Sequence, residues 1–146
     1  MKIITCYFIL SFFLGISVDN KPKEIEIYAL PFYARYTINI NKKGLRENYD
    51  LRIKIKDEFA LNEWQLNNLK VCDSLNYDKF KDYRAIVIMN FGKGKKREFL
   101  VSCTGHIIEK HIVYEYNSTF LKRTYAFFPK NYFPFVLQND SIIKVE

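Results

Sequence analysis

The segment Leu51-Arg52-Ile53-Lys54-Ile55-Lys56 alternates an aliphatic and a basic residue without a break. Side chains along a strand point to opposite faces in turn, so this run buries its aliphatic residues as a strand with one wet face. The same period recurs elsewhere. Glu24 to Leu30 alternates charge and bulk until Pro31 interrupts it. Phe32, Ala34, Tyr36, Ile38 and Ile40 then share one face, with Tyr33, Arg35, Thr37 and Asn39 on the other, and Asn41-Lys42-Lys43-Gly44 reads as a turn.

A second block of strands follows. Tyr83 to Phe91 is apolar on both sides, as a central strand is. Gly92-Lys93-Gly94-Lys95-Lys96 reads as a hairpin loop, and Glu98 to Thr104 as the returning strand with Phe99, Val101 and Cys103 inward. Gly105 turns the chain, and Ile107 to Tyr116 completes the block.

The period changes after Phe59. Asn62 with Gln65 forms a capping box, and Leu61 with Leu66 a hydrophobic staple. Leu66, Leu69 and Cys72 then share a helical face, which predicts a helix over Glu63–Ser74 with Trp64 in its first turn. A second helix is predicted after Asn117, carrying Phe120, Leu121, Thr124, Tyr125 and Phe128 and ended by Pro129. The tail Lys130 to Glu146 is too apolar to float free and reads as an extended segment along the domain. The expectation is an α+β fold, two-layer, with an antiparallel sheet of about six strands packed with two helices in the order βββαβββα.

The N-terminus follows a different logic. Met1-Lys2 precedes an almost unbroken apolar run, Ile3 to Ile16, and Gly15-Ile16-Ser17 supplies small residues three apart. A positive start, a short apolar stretch and a small-residue cut site predict a secretory signal peptide over 1–17. A helix over Ile3–Ile16 falls short of a ~30 Å hydrocarbon core. The expected mature chain, 18–146, is one small domain with a loose leader over 18–23, exported to the periplasm or the exterior, with no transmembrane segment after processing. Outside the cytoplasm the remaining cysteines, Cys72 and Cys103, read as a disulfide pair. It would close a loop of about 31 residues, and on the chain-entropy account would contribute roughly 3–4 kcal/mol.

Net charge is +7 over the whole chain. In an exported protein that favours an anionic partner, such as an acidic protein or an anionic envelope surface. Residues suited to meet one are Lys93, Lys95, Lys96 and Arg97 at the hairpin, and the row Arg52, Lys54 and Lys56. The hairpin lacks the spacing of a phosphate loop. Tyr33, Tyr36 and Tyr49 exceed what a core needs and suit a protein interface. No nucleic-acid-binding motif accompanies the basic rows, so no nucleic-acid partner is expected.

Catalytic signatures are sparse. The histidines, His106 and His111, differ in parity on the expected strand and so do not share a metal, and no metal or other cofactor is expected. Ser102 and Cys103 lie near His106 in sequence, which makes a small cysteine-histidine hydrolase the sharpest enzymatic alternative, yet no nucleophile elbow surrounds them. Glu24 and Glu26 alternate with isoleucines as a solvated strand face does, rather than as a glycosidase pair. Asn117-Ser118-Thr119 and Asn139-Asp140-Ser141 match the N-glycosylation acceptor. The leading expectation is a non-catalytic exported binding protein of the inhibitor or immunity type, which occludes a partner. The runner-up is an envelope-associated structural protein on anionic lipid or polymer.

Overall fold

Strand β1 (Glu24–Ala29) occupies the interior of a six-stranded antiparallel sheet, paired on one side with β2 (Leu51–Ile55) and on the other with β3 (Tyr83–Gly92). From β3 the sheet continues through β4 (Lys95–Ser102), β5 (Ile107–Glu109) and β6 (Ile112–Tyr114), giving the order β2-β1-β3-β4-β5-β6. A computed structural model describes residues 21–64, 66, 68–72 and 80–132, together with the backbone of 135–138 and 141–144. The expected signal peptide and the first part of the leader lie outside the described residues.

The fold is α+β, with three short α-helices among the described residues: α1 (Lys42–Asn48), α2 (Glu58–Asn62) and α3 (Ser118–Tyr125). The larger core lies on the sheet face of Ile25, Ile27, Val87, Phe99 and Val101, where Trp64 meets Phe120 edge-on at 5.4 Å. The opposite face carries a smaller cluster around Leu45 of α1 with Ile86, Leu100, Ile108 and Val113.

Several local expectations are corrected. Residues 32–40 do not form a strand. Scattered bonds take the place of a ladder there: the Ile40 N–H donates to the Asp82 carboxylate at 2.9 Å, the Arg84 guanidinium donates to the Ala34 carbonyl at 3.3 Å, the Phe32 N–H donates to the Tyr132 carbonyl at 2.8 Å, and the Tyr83 N–H donates to the Ile40 carbonyl at 2.8 Å. Ile38 is consequently 72% exposed although Phe32 is buried. The expected turn at Asn41-Lys42-Lys43-Gly44 is the start of α1, with the Asn41 side chain accepting from the Gly44 N–H at 2.8 Å.

Of the helix expected over Glu63–Ser74, residues 63, 64, 66 and 68–72 are described and are not helical, while 65, 67, 73 and 74 lie outside the described residues; the five-residue α2, capped by Asp57, closes where the sequence suggested a start. Asp57 caps earlier with Glu58 in the first turn, a better match to the helix dipole. Leu66 and Leu69 pack against the larger cluster and Cys72 against the smaller one, so one helical face does not carry all three. The strand expected over Ile107–Tyr116 is split into β5 and β6 by a turn at Lys110 and His111, with Lys110 at φ 56°. His111 therefore lies exposed in a turn rather than within a strand. The cap at Asn117 is present, its side chain accepting from the Phe120 N–H at 2.9 Å. The tail is not one extended segment: a 3₁₀ turn at Lys130–Tyr132 leads to a hairpin of β7 (Phe135–Gln138) and β8 (Ser141–Lys144).

Candidate functional site

The β3–β4 connection is tighter than the sequence suggests. β3 runs to Gly92 and β4 begins at Lys95, leaving Lys93 and Gly94 as a two-residue turn. Both have positive φ, 50° and 75°, the signature of a type I′ hairpin turn. The Gly92 N–H is held by the Asn90 side chain at 3.0 Å. Lys93, Lys95 and Lys96 are thus presented by a defined turn, and all three are exposed. None of them has an ion-pair partner among the described residues, although the Lys95 ammonium lies 5.7 Å from the Phe91 ring centre.

Arg97 differs from its neighbours. It turns onto the face of Phe99, and its guanidinium meets the Glu109 carboxylate through two contacts of 2.7 Å. The Tyr114 hydroxyl donates to the same carboxylate at 3.2 Å. Hydrogen bonding from Arg97 holds the Glu109 carboxyl below the ordinary carboxylate range, against burial that pushes it up.

The row on β2 is also engaged. Arg52 pairs with Glu26, while Lys54 and Lys56 share Glu24 at 3.1 and 3.5 Å. Hydrogen bonding and charge from these lysines lower the Glu24 carboxyl. The pairing follows from register: β1 and β2 set Glu26 opposite Lys54 and Tyr28 opposite Arg52, so each acid reaches a cation across the strands.

Register also brings the two basic groups to one end of the sheet. Glu24 lies opposite Asn90, Ile25 opposite Ile55, and Asn90 opposite Lys96. Lys56, just after β2, and the β3–β4 turn are therefore at the same end. Between them stands Lys23, expected to be part of a loose leader. Its N–H donates to the Asn90 carbonyl at 2.7 Å, and its side chain lies against Gly92. Lys21, Lys23 and Lys56, with Glu58 and Leu61, line a cleft of about 300 Å³. Lys21 and Lys23 are the contributors missed in the sequence, where Pro22 and the lack of periodicity masked a segment that docks through backbone and lysine stem.

The residues of the hydrolase alternative are arranged otherwise. The Ser102, Thr104 and His106 side chains form a chain with steps of 2.9 Å, so His106 Nδ1 meets a threonine hydroxyl. His106 stacks on Phe80 with ring centres 4.5 Å apart. Burial and the neighbouring Asp82 push the Cys103 thiol up, away from the reactive thiolate. The expected pair, Cys72 and Cys103, is not bridged in this structure, and both side chains are half-buried. Among the described residues no group of three His, Cys, Asp or Glu side chains could hold a metal ion, and no helix is long and apolar enough to cross a membrane.

A buried polar centre also went unnoticed in the sequence. Arg84, 4% exposed inside β3, forks onto Asp82 at 2.6 and 3.0 Å and stacks 4.9 Å from the Tyr36 ring centre. It tethers the irregular 31–41 segment, where Tyr33 and Tyr36 are partly exposed. Comparison with protein-family models, curated proteins and solved structures finds no match for this chain.

Proposed function

We propose that the protein is a non-catalytic, exported binding protein of the inhibitor or immunity type, acting by covering an acidic surface of a partner protein. The observation that carries this reading is the set Lys93, Lys95 and Lys96, held on a type I′ turn without ion-pair partners among the described residues, while Arg52, Lys54, Lys56 and Arg97 are paired. Uncompensated like charges at a protruding turn raise the local potential, which speeds encounter with an anionic surface. Lys21, Lys23 and Lys56 extend that potential along the same end of the sheet. Burial that raises the Cys103 thiol pKa and the His106–Thr104 contact support a role without nucleophilic catalysis. Export rests on the apolar run Ile3–Ile16 and its small-residue end.

The test is to isolate the partner from the native host and measure association of wild type and of Lys93→Gln/Lys95→Gln/Lys96→Gln at low and high salt. Slower association of the variant at low salt, with the difference shrinking at high salt, supports the reading. Equal rates in both conditions overturn it. Salt-sensitive retention on anionic vesicles without any protein partner would favour the envelope-associated reading instead.

A further inference from the structure

The two edges of the sheet are treated differently. Along β6, Val71 bridges Tyr114, the Cys72 N–H donates to the Val113 carbonyl at 2.8 Å, and the Glu115 N–H to the Lys70 carbonyl at 2.8 Å. That edge is covered. β2 pairs with β1 on its inner side and, among the described residues, with nothing on its outer side. An open strand edge is a template for another strand.

The side chains on β2 restrict what can use it. On the wet face, three cations, Arg52, Lys54 and Lys56, share two carboxylates, and each cationic side chain is about half exposed or more, at 48, 46 and 68%. A second copy pairing β2 with β2 would set these cations against their like, which is unfavourable across a ladder. Leu51, at the start of the other face, is 37% exposed and offers an apolar contact. The inner neighbour displays the complementary pattern: β1 reads Glu24-Ile25-Glu26-Ile27, acid on the wet face and isoleucine on the buried one. We infer that the outer edge of β2 receives an extended acidic segment of the partner protein as a seventh strand, one that alternates carboxylate and aliphatic side chains as β1 does. The inference rests on the binding-protein reading and specifies its mode of recognition. The lysines that deter promiscuous edge pairing thereby select an acidic strand.

The experiment uses the intact protein and a synthetic peptide of the Glu24–Leu30 sequence, with a control peptide in which both glutamates are lysine. Hydrogen exchange at saturating peptide reads the site, and titration at low and high salt reads the charge requirement. The expected result is at least about tenfold slower exchange at amides within Leu51–Ile55, unchanged protection in β1, and at least about tenfold weaker binding of the control at low salt. The variant Arg52→Gln/Lys54→Gln, checked for native circular dichroism, should lose most of the discrimination between the peptides. Protection elsewhere, displacement of β1, or equal binding of the two peptides overturns the inference. Because these measurements need no partner, their failure would retire the edge alone and leave the hairpin kinetics to judge the proposed function.

Discussion

Arg97 and Glu109 meet fork to fork between β4 and β5, with both nitrogen–oxygen contacts at 2.7 Å, beside lysines that have no ion-pair partner among the described residues. The pair divides the basic hairpin into a structural arginine and three outward lysines. Arg97→Gln should cost about 1–2 kcal/mol in urea unfolding, because a half-buried carboxylate loses a bidentate partner. Association with the partner should change little. The Lys93, Lys95 and Lys96 glutamine variant should show the reverse, with stability within about 0.5 kcal/mol of wild type and association slowed.

The same pair carries a pH dependence. The folded pKa of Glu109 lies below its ordinary value. Its ionised form therefore contributes stability above the unfolded carboxylate pKa of about 4.3, and that contribution is lost as pH falls through the folded value. Asp82 behaves alike: burial raises its pKa, but the hydrogen bond and charge of Arg84 and the Ile40 N–H together bring it below the ordinary value. Urea midpoints measured from pH 7 to pH 3 should decline most steeply below about pH 4. In Arg97→Gln the decline should be shallower, since Glu109 then lacks the main interaction that lowers its pKa and less stability is lost when it is protonated.

Gly94 and Gly105 separate backbone strain from crowding. Both have positive φ, 75° and 82°. A Cβ at Gly94 would meet nothing within 4 Å, whereas one at Gly105 would come within 2.6 Å of the Tyr116 ring. Gly94→Ala should cost about 1 kcal/mol, the penalty of the left-handed backbone alone. Gly105→Ala should cost at least about 2 kcal/mol, as the ring must move as well. Thermal unfolding of the two variants under identical conditions reads the difference.

Arg84 and Asp82 should be strongly coupled. Arg84→Met leaves Asp82, partly buried, without its cation, and should cost about 2–4 kcal/mol, with the partial exposure of Asp82 moderating the full buried-pair penalty. The double variant Asp82→Asn/Arg84→Met should be less destabilised than the sum of the singles, because the orphaned charge is gone. Additive energies in a double-mutant cycle would show the pair to be independent.

The sheet was legible wherever alternation was set by burial on one side. Glu24–Ala29, Leu51–Ile55 and Tyr83–Gly92 are strands whose faces are covered by packed clusters on both sides, or by a cluster on one side and water on the other. Residues 32–40 alternate just as cleanly yet form no strand: their backbone bonds go instead to scattered partners, among them Asp82, Tyr83, Arg84 and Tyr132, more than forty residues away in sequence. No local pattern encodes that. Asn62 shows the complementary failure: it looks like a helix cap in the sequence but is the last residue of a helix capped by Asp57, and Trp64 beyond it packs on Phe120. At the candidate site the lysines were readable as a cluster, but not which of them were already paired. That depends on cross-strand register, which sets Glu24 and Glu26 beside one basic group and Glu109 beside Arg97.

The interior position of β1 has a consequence for how the chain reaches its native state. The strands β3 to β6 form a meander of near neighbours, in which Leu100 meets Ile108 and Ile107 meets Tyr114. β1 instead pairs Ala29 with Ala85 across a long intervening stretch that holds α1, β2 and α2, and that contact cannot form until β3 has been synthesised. Loop-closure entropy favours the short-range meander as the first cooperative unit, with the β1–β2 pair docking onto it afterwards. Until it docks, the Ala85–Met89 edge of β3 is bare, and this stretch of small and branched apolar residues is where a nascent chain would be most exposed to mispairing.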